Sequence, residues 1–156
     1  MAESLLQRIV SAQKSGQELG IPSICSANPF VLRAAIAHAL HNDVPLLVES
    51  TCNQVNQYGG YTGQTPAEFK RSLHNLANGI NFPAQRLIFG GDHLGPNPWR
   101  DEPAEKAMDK ARVLVGDYVR SGCTKIHLDP SMKLADDNPQ HPLSTETIAW
   151  RAAELA

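Results

Sequence analysis

The sequence predicts an α/β fold of the (β/α)8, TIM-barrel type, with residues 1–156 covering about the first four βα units, the N-terminal half of a single barrel domain. Three observations carry this. Short apolar β segments alternate strictly with amphipathic helical segments, which implies a parallel sheet with right-handed crossovers. The third β segment, built on Leu87-Ile88-Phe89, lacks period-two alternation, as expected of a strand buried on both faces. Polar and titratable side chains gather at the carboxyl ends of successive β segments, where parallel α/β folds place their chemistry. A whole barrel takes about 250 residues. A self-sufficient open doubly wound sheet of four strands is the alternative.

Each element has local support. Residues 4–14 form a leading helix with Leu5, Leu6, Ile9 and Val10 on one face, stopped by Ser15-Gly16. The first strand is 23–27, and Asn28-Pro29 supplies an N-cap and a first helical position where proline loses no hydrogen bond. The helix from Pro29 to His41 carries Leu32, Ala35, Ile36, Ala39 and Leu40 at helical spacing. His38 and His41 have no partner pattern and are read as structural or solvent-facing. The second strand, 45–49, runs into Ser50-Thr51-Cys52-Asn53-Gln54 and then a long loop to Gln64, rich in amides, glycines and tyrosines.

Thr65, Pro66 and Glu68 announce the next helix as a capping box, and Asn78-Gly79 closes it. His74 on this helix is read as structural. The third strand, 86–89, ends abruptly in Gly90-Gly91-Asp92-His93-Leu94-Gly95-Pro96. Asp101-Glu102-Pro103 opens another helix with acids where its dipole favours them. Ala107, Ala111, Leu114, Val115 and Tyr118 are its buried stripe, and Ser121-Gly122 its C-cap. The fourth strand is 125–129, followed by a polar loop at 135–142 and a last helix capped near Ser144. No cap signal follows Leu155, so the chain is expected to be part of a longer one.

Composition narrows the functions. With 42% hydrophobic residues, a core of ordinary size is expected. A net charge of −2 with 19% charged residues and no Lys/Arg cluster excludes a nucleic-acid footprint. No apolar run has the length of a membrane span, and the first eight residues lack the basic start and apolar stretch of a signal peptide. Cys25, Cys52 and Cys123 fit no metal or redox spacing, so all three are read as small core residues in a reducing, cytoplasmic setting.

The rim residues carry the chemistry. Ser26 and Asn28 follow the first strand. Glu49, which ends a run of apolar residues, must be rim-exposed or paired, because an unpaired buried carboxylate is costly. Asn53, Gln54 and Tyr61 lie on the long loop, which reads either as a substrate loop offering amides and N–H groups to hydroxyls or a phosphate, or as a surface excursion. Asp92-His93 reads as a turn cap beside a surface imidazole or as a reactive pair. His127 and Asp129 share one face of an extended strand, as a ligand or proton-relay constellation or as a satisfied hydrogen-bonded pair.

Four segments, 23–29, 53–63, 90–96 and 125–129, in this order, closely resemble the GatZ/KbaZ family of accessory subunits of class II D-tagatose-1,6-bisphosphate aldolase. The resemblance covers essentially the whole chain, and members of that family are longer. It implies a cytosolic bacterial protein of galactitol, N-acetylgalactosamine or related sugar catabolism. By the family's kinship with the catalytic class II aldolases, Asp92 would act as acid and base toward a sugar hydroxyl and His93 would bind a divalent metal, with Zn2+ the expected ion. In the same reading Glu49 and Asp129 join Asp92 as catalytic carboxylates and His127 joins His93 as a metal ligand. Ser26, Asn28, Asn53, Gln54 and Tyr61 would contact substrate. Since zinc sites usually use three protein ligands, and the later histidines of that kinship lie outside this chain, the chain by itself should hold metal poorly.

The resemblance implies a catalytic class II aldolase subunit as partner and a phosphorylated ketose as ligand, and open strand edges invite a homo-oligomer. Three functions follow from it: a non-catalytic subunit that supports the catalytic one, a metal-dependent 4-epimerase of tagatose 6-phosphate and fructose 6-phosphate, and a tagatose 6-phosphate kinase. The kinase is least supported, because the chain has no GxxxxGK[ST] phosphate loop.

Overall fold

A computed structural model describes residues 4–156; residues 1–3, part of the leading segment read for a targeting signal, lie outside the described residues. Four parallel strands pair in the order β1 (Ser23–Cys25), β2 (Leu46–Thr51), β3 (Leu87–Leu94) and β4 (Lys125–Leu128). Five α-helices accompany them: α1 (Leu5–Lys14), α2 (Pro29–His41), α3 (Pro66–Asn78), α4 (Ala104–Arg120) and α5 (Thr145–Leu155).

The strand order decides between the two sequence alternatives. A doubly wound sheet reverses its strand order at a switch point, so that helices cover both faces. Here sequence neighbours are always sheet neighbours, and right-handed crossovers then bring the helices to one face, as in a barrel wall. Side-chain alternation agrees. Val48 and Phe89 belong to the helix-side core with Leu32, Ile36, Phe69, Leu73, Leu114 and Tyr118. Phe89 stacks on Tyr118 with ring centroids 5.7 Å apart, and Ser50 shares a 2.8 Å hydrogen bond with the Tyr118 hydroxyl. The alternate residues, Cys25, Glu49, Gly90 and Lys125, are matched across all four strands and face the opposite, concave side. β2 is buried along nearly its whole length, whereas the outer strands β1 and β4 are more open.

Helix ends follow the expected chemistry, with one exception. Asn28 accepts the N–H groups of Phe30 and Val31 at 2.9 and 3.4 Å, and the Glu68 carboxylate accepts from the Thr65 N–H at 2.9 Å. α4 starts after Pro103 with no local cap, and its first free N–H, on Ala104, donates instead to Asp136 at 2.8 Å, 32 residues away. The loop carrying Asp136 is held in turn by Arg151 of α5, which grips both oxygens of Asp137 at 2.9 and 2.8 Å.

One helix packs more loosely than the rest, and one expectation needs correction. The apolar face of α1 is only half-buried, with Ala12 its one buried residue and Val10 49% exposed. Cys52 and Cys123 are buried as expected, but Cys25 is exposed on the concave face, because the barrel interior is open on that side of the described residues. None of the helices among the described residues is long and apolar enough to cross a membrane.

Candidate active site on the concave face

The site is organised by an irregularity in β3. Gly91 pairs with Ile126 and Leu94 with Leu128, so two residues of β3, Asp92 and His93, stand opposite the single residue His127. In an unbroken strand, consecutive side chains point to opposite faces. The extra residue forms a bulge, and His93 takes a left-handed backbone conformation with φ 49°. The bulge turns His93 back to the face of Asp92. The buried Cys52 thiol donates to the His93 carbonyl at 3.1 Å and anchors this backbone.

Asp92 then meets both imidazoles. Its Oδ2 lies 2.9 Å from His93 Nδ1 and its Oδ1 lies 2.9 Å from His127 Nδ1. The two rings are tilted against each other with centroids 4.5 Å apart. A carboxylate accepting at Nδ1 fixes each ring with that nitrogen protonated, which leaves the Nε2 lone pair for a ligand. One ligand atom from each of Asp92, His93 and His127 can be chosen so that all lie within 4.8 Å of one another. Imidazole nitrogens are donors that Zn2+ accepts, so His93 and His127 fit two positions of a divalent cation, with Asp92 orienting both rings.

Glu49 is buried one layer below, at 4% exposure. The Ser23 hydroxyl donates to its Oε2, and Lys125 approaches its Oε1. It is therefore paired rather than rim-exposed. Asp129 follows β4 and accepts from the Ser131 N–H at 3.0 Å. Burial raises the Asp129 carboxyl, but the Ser131 hydrogen bonds and the His93 and His127 charges outweigh it and hold the group below its ordinary value. Cys25 sits beside the cluster, its thiol pushed up to about 11 by burial first and then by hydrogen bonding to Asp92 and the charges of Asp92 and Glu49. It stays protonated at neutral pH and is a donor rather than a nucleophile.

The five expected substrate contacts sit differently. Ser26 accepts the Asn28 N–H at 3.2 Å, while Asn28 caps α2. The Gln54 side chain accepts the Thr51 N–H at 2.9 Å, and the loop folds tightly around it through Thr62 Oγ1, which donates to the Gln54 carbonyl at 2.8 Å. The buried Asn56, which the sequence offered only as one of the loop's amides, is the staple of this loop, donating to the Cys52 carbonyl at 2.9 Å and accepting from the Tyr58 and Gly60 N–H groups at 2.9 and 3.0 Å. Tyr61 is 73% exposed, and Asn53 is also exposed. Among the described residues none of the five hydrogen-bonds to Asp92, His93 or His127, so Glu49, Asp92, His93, His127 and Asp129 are the group the fold brings together.

The network makes acid stability dependent on Asp92. Partial burial pushes its carboxyl up, but hydrogen bonds from His127, His93 and Cys25 together outweigh that and bring it to about 2. The folded value lies below the ordinary 3.8, so the ionised group favours the fold above roughly pH 4, and this contribution is lost as pH falls toward about 2. The difference is on the order of 2 kcal/mol. Between pH 4 and 2, wild type should lose that much more stability than Asp92→Asn in urea unfolding curves; parallel losses would contradict the network.

A parallel wall of βα units with a carboxylate and two imidazoles gathered at its strand ends places the chain, in class, among α/β barrel-type proteins with a titratable cluster on the concave face. The particular family follows from comparison with known proteins. A model of the GatZ_KbaZ-like family, described as D-tagatose-1,6-bisphosphate aldolase subunit GatZ/KbaZ-like, matches residues 6–156, and the chain belongs to this family. The D-tagatose-1,6-bisphosphate aldolase subunit GatZ of Klebsiella pneumoniae subsp. pneumoniae is 50% identical over 150 residues, covering 96% of this chain and 35% of that protein. Its counterpart in Salmonella typhimurium is 49% identical over 150 residues, with the same coverage of 96% and 35%. A solved structure described as a probable tagatose 6 phosphate kinase from Sinorhizobium meliloti 1021 superposes with a TM-score of 0.83 at 51% identity, covering 88% of this chain and 35% of that one. The chain thus spans about a third of the length of the curated relatives it matches.

Proposed function

We propose that this chain belongs to the accessory, non-catalytic subunit of a D-tagatose-1,6-bisphosphate aldolase, acting in the cytoplasm in the breakdown of galactitol or a related sugar through tagatose 6-phosphate. The observation that carries the reading is the 50% identity, over 96% of the chain, to a protein named as such a subunit. A subunit of that kind stabilises a catalytic class II aldolase chain by binding it.

The Asp92, His93 and His127 cluster gives the subunit a place for a divalent cation, with Zn2+ the expected ion. His93 and His127 would hold it through Nε2, and Asp92 would keep both rings in the matching tautomer. The chemistry such a cation would supply is Lewis-acid polarisation of a ketose carbonyl. By the family's kinship with the catalytic aldolases, Asp92 would handle a proton, with Asp129 at the strand end nearby. Glu49, buried and paired, supports the site from below. A kinase is the least supported function, since these 156 residues carry no phosphate-binding GxxxxGK[ST] loop.

The test is co-expression of the protein with a catalytic class II aldolase subunit. The expected result is co-purification and a longer-lived tagatose 1,6-bisphosphate cleavage activity than the catalytic subunit shows alone. Turnover of tagatose 6-phosphate to fructose 6-phosphate by the protein without a partner would instead establish the 4-epimerase.

A further inference from the structure

Below the His pair, the concave face holds a charge lane whose cation, Lys125, the family reading does not use. Glu49 on β2, Gly90 on β3 and Lys125 on β4 are in register across the sheet. The side chains of Glu49 and Lys125 meet across the middle strand, and they do so because position 90 has no side chain. A Cβ there would stand 2.9 Å from Glu49 Cγ and 3.1 Å from its Oε1. The Lys125 ammonium contacts Glu49 Oε1 and also lies 3.7 Å from Asp92 Oδ1. That is the oxygen which accepts His127 Nδ1 at 2.9 Å. The other oxygen of Glu49 takes the Ser23 hydroxyl, so the lower carboxylate is held at both ends. Side-chain exposures of 5% for Glu49, 29% for Lys125 and 17% for Asp92 keep the lane partly shielded from solvent.

We propose that Lys125 is a positioning residue of the Asp92–His93–His127 site: anchored by Glu49 across the gap at Gly90, its ammonium holds Asp92 Oδ1 where it orients His127. Without it, Asp92 Oδ1 loses the neighbouring ammonium that holds it in place, and the carboxylate is free to rotate away from His127. The lysine touches no ligand in this role. It acts through Asp92, much as outer-shell carboxylates act through metal-bound histidines, where their loss typically lowers metal affinity about 10- to 100-fold. The proposal rests on the reading of the His pair as a cation site for its affinity readout alone.

Two readouts on the purified protein test it. The first is the tautomer of His127 in metal-free protein, from nitrogen-15 chemical shifts of the ring. The second is the affinity for Co2+ by titration. Lys125→Met leaves Glu49 buried without its counter-charge and can fail to fold. The Glu49→Gln/Lys125→Met double variant removes the pair together and keeps the fold measurable. Wild type should show His127 protonated at Nδ1, whereas the double variant should show a tautomer mixture and bind Co2+ about 10- to 100-fold more weakly. Lys125→Arg, which keeps the charge, should restore both. A folded double variant with the wild-type His127 tautomer and undiminished Co2+ affinity would overturn the proposal. A wild type that binds no Co2+ would refute the cation reading, and the tautomer comparison would still decide the role of Lys125.

Discussion

Replacing Gly95 by alanine should destabilise the protein by about 3 kcal/mol or more, near the upper end of what overpacking costs. A Cβ at this position would lie 2.1 Å from the Asp129 carbonyl oxygen and 2.8 Å from its carbon. Backbone cannot rotate aside as a side chain would. The ends of β3 and β4 must part, and the 2.8 Å bond from the Asp129 N–H to the Leu94 carbonyl must break. Because His127 and Asp129 sit at this junction, the site is displaced with it. In a domain of this size the loss corresponds to a fall in Tm of roughly 10 °C, measured by circular dichroism. Gly20→Ala, where an added Cβ meets nothing within 4 Å, is the control and should leave Tm nearly unchanged. Equal melting of Gly95→Ala and wild type would show that the strand ends are not locked together.

In the full-length protein, His93→Ala should abolish stoichiometric zinc binding and leave the fold intact, because the imidazole is exposed and its loss opens no buried cavity. Metal content after dialysis against zinc is the measurement, and equal content in both proteins would reject His93 as a ligand. His93→Gly adds a second discrimination. With φ at 49°, a residue bearing a Cβ sits in a region that costs it about 1 kcal/mol, and glycine does not meet that cost. His93→Gly should therefore lose zinc as His93→Ala does, yet melt higher than His93→Ala. Strain held at a ligand position and relieved by removing the ligand is what a functional bulge predicts.

Much of the wall was legible in the residues. Asn28-Pro29 and Thr65-Pro66 with Glu68 marked the starts of α2 and α3 because their signals are short-range. The stripe from Ala107 to Tyr118 marked the buried face of α4, every named residue of which is buried. Other features had no local signature. The cap of α4 comes from Asp136, far along the chain. The amides of Gln54 and Asn56 read as free for a ligand or simply polar, but they close their own loop. Lys125 read only as the first residue of a strand, since its partner Glu49 lies two strands away.

The sequence by itself determined the alternation of strands and helices, the residue types at each strand end, and the family, because periodicity, caps and motifs are written in neighbouring residues. Only the tertiary structure decided the sheet order, the flip of His93 toward Asp92, and the passage of Glu49 over Gly90 to Lys125. Those depend on which residues of different strands come into register, and a register is fixed by packing between segments rather than by any one of them.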